Sequence, residues 1–463
     1  MLMECLAAGR AISLPSSTVG MAKLAVRGTG AYAAVRRQFN VPIGQFEGVQ
    51  EALARMAGNV YMMDAARMLS VAALDLGEKP AVISAIVKYH VTERGRAVVN
   101  DGMDVLGGKG ICMGPNNFLA RAYQQLPIAI TVEGANILTR CLIIFGQGAI
   151  RSHPYVLKEM HATTQPNHKK GLHDFDAALI GHLQFFLGNT KRLLVSGWSG
   201  GLFTALPVHA APELQRYYRA ASHFSSAFAL LTDVAMLTLG GTLKRRELIS
   251  ARLGDVLSQL YLISAVLKRF EDDDRPQEDL PYVHWSIQDA LYRTQQATLG
   301  VLDNFPNRTV GGLLRLAIFP FGARHGAPLD TLNLQVANAM QVAGPARDRL
   351  LADTFVQGDP DHVIFNCETA LGLLAAFKAI ELKLKAPIHE GRLEPMPQNL
   401  AVIHEWVAHA AAAGFLNPEE CRLVLNYSRC VNKAIQVDDF PADLGLDTDA
   451  EQRLGHELNL VDC

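Results

Sequence analysis

The 463 residues carry 43 Lys+Arg against 45 Asp+Glu, and 49% of them are apolar. That composition excludes a disordered chain, and the net charge of −2 gives no electrostatic argument for nucleic-acid binding. Seven cysteines, an odd number without a C-x-x-C pair, read as reduced, mostly buried thiols in a cytoplasmic protein.

The N-terminal stretch MLMECLAAGRAI is broken by Glu4 and precedes no cleavage-like segment, so no signal peptide is expected. Pro15 should kink or divide the first helix. Residues 1–150 read as four or five long helices, with breaks near Asn40–Gly44, Gly77–Pro80, Gly107–Asn117 and Pro127–Gly134. Leu53, Met56, Val60 and Met63 fall on one helix face, as do Ile137, Leu138, Cys141, Leu142 and Phe145. The polar run Thr163–Gly171 reads as a linker.

A second helical region follows to about residue 436, with Leu253, Val256, Leu257, Leu260, Ile263 and Leu267 forming one more apolar face. Asn417, Pro418, Glu419 and Glu420 supply an N-cap, a proline at the first helical position and acids in the first turn, which starts a helix at 418. The acidic, proline-containing tail after Asp438 reads as an extended strap. The apolar stretch Ala227–Leu243 contains Asp233 and two glycines and is short for a bilayer span, so only surface contact with a membrane is expected. Strand-like alternation is scarce, and the fold class is all-α.

Three motif-like strings fail on physical grounds. Gly197-Trp198-Ser199-Gly200-Gly201 matches G-x-S-x-G, but a nucleophile elbow needs a preceding strand and this one follows a helical pattern. His404, Glu405 and His409 exceed H-E-x-x-H by one residue, which turns the two imidazoles roughly 140° apart on a helix. Gly107-Gly108-Lys109-Gly110 lacks phosphate-loop spacing and reads as a glycine turn. No metal site is expected.

Four further segments carry chemistry together. Tyr32-Ala33-Ala34-Val35-Arg36-Arg37-Gln38-Phe39-Asn40-Val41-Pro42-Ile43 is followed by Asp104-Val105-Leu106-Gly107-Gly108-Lys109-Gly110. Tyr123 then stands ten residues before Glu133 in Ile130-Thr131-Val132-Glu133-Gly134-Ala135-Asn136. In this order they resemble the C-terminal helical domain of the acyl-CoA dehydrogenase family, in its large bacterial FadE-type branch. The family's patterns are Y-A-x-x-R-x-x-F-G-x-P-I, Q-x-x-G-G-x-G and I-Y-E-G-T-N.

The resemblance implies a FAD-dependent α,β-dehydrogenation of medium- or long-chain fatty acyl-CoA to trans-2-enoyl-CoA, in β-oxidation. Glu133 would be the base that takes the α-proton, a weak acid that demands a positioned carboxylate. Its backbone N–H would polarise the thioester carbonyl, and Gly134 would line the substrate. Some relatives place the base before the arginine of a G-R pair on the first helix. Here Gly9 stands there, so Glu133 is the sole candidate and Arg10 a substrate-side helper. Arg36, Gln38 and Phe39 would meet the FAD pyrophosphate and adenine side from a neighbouring subunit, and Asp104, Gly107 and Gly108 would line the cofactor. Asp104, Asn40, Ala135, Gln125 and Pro127 depart from the family's usual residues.

The same resemblance implies a layout of 1–155 as the flavin-bearing catalytic domain and 156–171 as a linker. An extra FadE-type helical domain would occupy 172–436, and an extended acidic tail 437–463. Expected partners are fatty acyl-CoA, an electron-transfer flavoprotein and further copies of the chain. The expected location is cytoplasmic, with peripheral contact at the inner membrane compatible with the sequence. Family members open with a helical domain and a small β-domain before these segments. Their absence implies a fragment, a split gene or a misplaced start, with weak FAD binding and low turnover for the chain alone. The alternative is a non-catalytic helical module for interaction or membrane docking that needs a separate N-terminal half.

Overall fold

The computed structural model describes residues 2–440 except 209, 357 and 398, together with the side chains of those residues other than 2–8, 149–152 and 244. The Cys5 side chain, Cys463 and most of the acidic tail therefore lie outside what is described.

Helices dominate, and the one strand pair among the described residues is Arg37–Gln38 against Val41–Pro42. In chain order the main helices are α1 (Leu2–Val35), α2 (Glu47–Asp75), α3 (Ala81–Leu106), α4 (Ala120–Thr131), α5 (Val156–Thr163), α6 (His168–Ser199), α7 (Gln215–Leu239), α8 (Glu247–Asp272), α9 (Leu280–Asp303), α10 (Arg308–Ile318) and α11 (Asp330–Met340). They continue with α12 (Val363–His389), α13 (Leu400–Ala412) and α14 (Pro418–Ile435).

Two compact units result, one of residues 1–105 with 121–355 and the other of 106–120 with 356–463. In the first, α2 packs on α1, α8, α9 and α11. The face read from Leu53, Met56, Val60 and Met63 is completely buried there, as are Leu253 and Ile263 of α8. In the second, α14 packs on α12 and α13, and Phe377 stacks on Tyr427 with ring centroids 3.8 Å apart. Asn417 caps α14 through a full capping box with Glu420.

Several expectations require correction. Pro15 does not divide α1, which runs through it without a break. The expected linker 156–171 is mostly helical: α5 fills its first half, and Asn167 starts α6 at once by accepting from the Lys169 and Lys170 amides. The apolar face read at 137–145 is a core face only at Phe145, which is buried; Ile137 and Leu138 are exposed, and Ile143 and Ile144, outside that face, are buried in their place. Residues Thr139–Ile144 form a π-helical turn, and its wider winding rotates the apolar positions off the 3.6-residue register. The length argument at 227–243 also fails. By length and composition, Pro212–Leu243 and Val363–His389 are apolar enough to cross a membrane, and the bent pair Ala120–Thr131 with Asn136–Gly148 would make a third. In this fold the first two bury 39% and 50% of their most apolar windows against protein.

An acid–imidazole cluster ties α5, α6 and α7 together. His182 Nδ1 lies 2.8 Å from Glu159 Oε1, and its Nε2 lies 3.4 Å from Asp233 Oδ1. His153 Nε2 meets the same Asp233 oxygen at 3.0 Å, while Tyr155 stacks on the His182 ring. His153, His182 and Asp233 thus place three potential metal-ligand atoms within 4.8 Å of one another. The backbone N–H groups of Tyr155 and Val156 both donate to His153 Nδ1, however, which leaves the proton on Nε2. That proton serves the Asp233 hydrogen bond, so the cluster is a hydrogen-bonded clamp.

Burial opposes protonation of His182, but Glu159 and Asp233 outweigh it and raise its pKa. A raised folded pKa means that the stabilisation is complete below the unfolded value near ~6.5 and is lost as pH rises through the folded value. The expected result is a thermal midpoint that falls between about pH 6 and pH 9 in the wild type by more than in His182→Gln. Parallel pH profiles for the two proteins would remove the clamp.

Candidate active site

The turn after α4 holds Glu133, and its backbone is unusual. Glu133 has φ 55° and Gly134 has φ 94°, both in the left-handed region. A non-glycine residue there costs of order 1–3 kcal/mol, so the surroundings must hold it.

They do so mainly through Lys88 on α3. Its side chain is fully buried, and the ammonium donates to Gly134 O at 2.8 Å and Asn136 Oδ1 at 2.6 Å, with Ile130 O at 3.4 Å. The Asn136 amide donates in turn to Thr92 Oγ1 and Glu93 Oε1, and Thr139 Oγ1 donates to Gly134 O. Burial, reinforced by the Arg10 charge, brings the Lys88 ammonium down to about 8 against the pull of Glu133 and Glu93.

Glu133 is half-buried. Its Oε1 accepts from Ser13 Oγ at 3.3 Å, and its Oε2 is buried with no hydrogen-bond partner. Arg10, on the same stretch of α1, is 3% exposed with Nε also unpartnered, and burial lowers its pKa despite the nearby Glu133 charge. A methyl group added at Gly134 would lie 3.9 Å from an Arg10 guanidinium nitrogen and 3.3 Å from Thr139 Oγ1. The structure therefore gathers Glu133, Gly134 and Arg10 into one site, with an orphaned carboxylate oxygen at its centre. A buried acceptor without a donor is uncommon in native proteins and marks a position where something else completes the site.

Residues 150–440 match the family model described as acyl-CoA dehydrogenase, C-terminal, bacterial type, and residues 1–145 match that described as acyl-CoA dehydrogenase, C-terminal domain. The chain belongs to the acyl-CoA dehydrogenase family. The probable acyl-CoA dehydrogenase FadE10 of Mycobacterium tuberculosis is 26% identical over 279 residues, 58% of this chain and 41% of that protein. The 3-(aryl)acrylate reductase of Clostridium sporogenes is 31% identical over 144 residues, 30% of this chain and 37% of that protein. The chain thus spans about two-fifths of the length of these curated relatives. An acyl-CoA dehydrogenase of Bacillus anthracis solved in complex with FAD shares the fold, with a TM-score of 0.55, 19% identity, and coverage of 76% of this chain and 56% of that one.

The other residues singled out as site residues in this family member lie on other segments: the hairpin after α1, the last turns of α3 and the glycine turn that follows it. Gln38 is exposed and Phe39 is 89% exposed, on the tight turn that joins the two short strands. Phe39 (φ 51°) and Asn40 (φ 62°) both take left-handed conformations, which asparagine tolerates better than most residues. Arg36 at the end of α1 is half-buried. This hairpin suits a contact with a flat, phosphate-bearing group, since its arginine, glutamine and ring are not buried in the chain's own core. Asp104 is exposed near Arg55, which is bonded to Asp101. Gly107 (φ 60°, ψ −135°) and Gly108 lie in the second unit, where Lys109 Nζ donates to Gln436 O at 2.6 Å.

Lys88, Ser13 and Thr139 escaped the sequence reading. The signal for Lys88 was its place on a helix face shared with Ala85, Val91 and Thr92, all fully buried. Ser199 ends α6 before Gly200 in a left-handed cap, with no strand before it, and His404 and His409 are exposed on α13.

Proposed function

We propose that this chain supplies the base-bearing half of a flavin site that dehydrogenates a medium- or long-chain fatty acyl-CoA to its trans-2-enoyl-CoA. One observation carries the reading: Glu133 is held at a strained turn with a buried, unpartnered carboxylate oxygen. In this scheme Glu133 takes the proton from the carbon next to the thioester. Bound FAD would supply the acceptor for the hydride of the neighbouring carbon, so that loss of the α-proton and this hydride would turn a C–C single bond into a double bond. Lys88 and Thr139 fix the turn through Gly134 O, and Ser13 orients Oε1. Arg10, buried near the Glu133 carboxylate, adds a positive charge to the site. Arg36, Gln38 and Phe39 would hold the FAD pyrophosphate and adenine side across subunits of a homo-oligomer, and Asp104, Gly107 and Gly108 would line the cofactor. The electron acceptor would be an electron-transfer flavoprotein, and the location cytoplasmic.

The test is anaerobic bleaching of the bound flavin by fatty acyl-CoA in the full-length protein. Flavin that stays oxidised with acyl chains of every length would end the proposal.

A second reading, docking at the inner membrane, draws on one observation. On α6, Leu172, Leu179, Ile180, Leu183 and Leu187 are each about half or more exposed at helical spacing, close to Lys169 and Lys170 at its start. Co-sedimentation with anionic liposomes, weakened by Leu183→Asp, is the expected result. Wild-type protein left in the supernatant would reject it.

A further inference from the structure

Away from the Glu133 turn, the first unit holds a cleft of about 300 Å³ between the end of α6, the start of α7 and the loop after α10. Its wall includes Arg216, Arg219 and Arg324 and the imidazoles of His223 and His325, and no carboxylate contributes to it. Among the described residues, none of the three arginines forms an ion pair, and the buried Arg219 Nε has no hydrogen-bond partner. Ser199 Oγ, at the end of α6, is likewise buried and unpartnered.

The wall is held by interior contacts. Gln295, 3% exposed, grips the loop on both sides of one residue: its amide donates to His325 O at 2.8 Å and its carbonyl accepts from His325 N at 2.9 Å. His223 is fixed at both ring nitrogens, by Ile318 O at 3.1 Å and Ser196 Oγ at 2.8 Å. Gly201, at φ 81°, lets the stem of Arg219 pack within 3.0 Å of where a side chain would begin. Arg324 lies over the Phe321 ring at 5.0 Å, and Phe224 packs edge-on against Phe319.

Arg216 is engaged by Tyr217, donating to its hydroxyl at 2.8 Å and lying over its ring, so Arg219 and Arg324 are the cations left to meet an anion. Their fork geometry suits the tetrahedral oxygens of a phosphoryl group, which carries close to two charges at neutral pH. The phenylalanine rings add an apolar wall, and the volume sits at the small end of organic-ligand pockets. We propose that this cleft binds a phosphate monoester carried on a small flat or apolar body. The proposal stands apart from the flavin chemistry, since the cleft shares no residue with the Glu133 site.

Isothermal titration of the full chain with phenyl phosphate, inorganic phosphate, benzoate and phenol provides the test. Phenyl phosphate is expected to bind saturably at one site per chain, with inorganic phosphate weaker and benzoate and phenol weaker than phenyl phosphate by about tenfold or more. Arg219→Gln and Arg324→Gln are each expected to weaken phenyl phosphate by about tenfold. Arg324 is exposed, so its variant keeps the fold even where the Arg219 variant does not. No saturation up to about 10 mM phenyl phosphate would overturn the proposal. So would unchanged affinity in Arg324→Gln, or benzoate binding as tightly as the phosphate ester.

Discussion

Flavin bleaching by fatty acyl-CoA should fall by about 10²- to 10⁴-fold in Glu133→Gln, the range attached to a positioned general base. Glutamine keeps the size and the hydrogen-bonding shape of the side chain, and the Gly134, Asn136 and Thr139 contacts of Lys88 and the turn do not involve the carboxylate. FAD content and the thermal midpoint should therefore match the wild type, which separates a lost base from a lost fold. The amide nitrogen would face the buried Arg10 in place of an oxygen, so a modest weakening of substrate binding is also expected. Glu133→Asp is the sharper comparison. It keeps the charge but withdraws it by one methylene from a site whose reacting atoms must lie within about 3–3.5 Å, and an intermediate loss is expected. Bleaching at the wild-type rate in Glu133→Gln would remove this residue as the base.

Much of this site was legible along the chain because its motif is local. Ile130–Asn136 and the apolar residues before Glu133 mark the turn, and the long helices follow from 3.6-residue periodicity. The rest depends on contacts far apart in sequence. Lys88 reaches Gly134 O across 46 positions, and Lys109 reaches Gln436 O across 327, which no local window records. That second kind of contact is also why residues 106–120 group with 356–463 and not with the helices that flank them in the chain. The π-turn at Thr139–Ile144 misled the periodicity directly, since an ideal helix would bury Ile137 and the observed one buries Ile143. The linker was misread because its polarity is that of capped, exposed helix ends. Asn167 shows that a polar residue between helices can start one as well as separate two.

The largest loss of stability is expected where α2, α3, α8 and α9 meet around Arg94. This guanidinium is buried and donates to Asp289 Oδ2 at 3.0 Å, Gln259 Oε1 at 3.2 Å and Asn59 Oδ1. Asp289 also accepts from Arg293 Nε, at 3.0 Å on Oδ1 and 2.8 Å on Oδ2. Burial opposes the charge on Asp289, yet Arg94 and Arg293 outweigh it and hold its carboxyl below the ordinary range. Removing the acid alone, as in Asp289→Ala, strands Arg94 in the interior and should cost about 3–5 kcal/mol, read as a fall in the urea midpoint. Removing both charges with apolar residues of similar volume, as in Arg94→Met with Asp289→Leu, should recover most of that loss, because no uncompensated charge remains. The pH dependence follows the depressed acid: the stabilisation is present above the unfolded value near ~3.9 and disappears as pH falls through the folded value. A double variant no more stable than Asp289→Ala would show that the loss comes from packing around Asn59 and Gln259 and not from the buried charge.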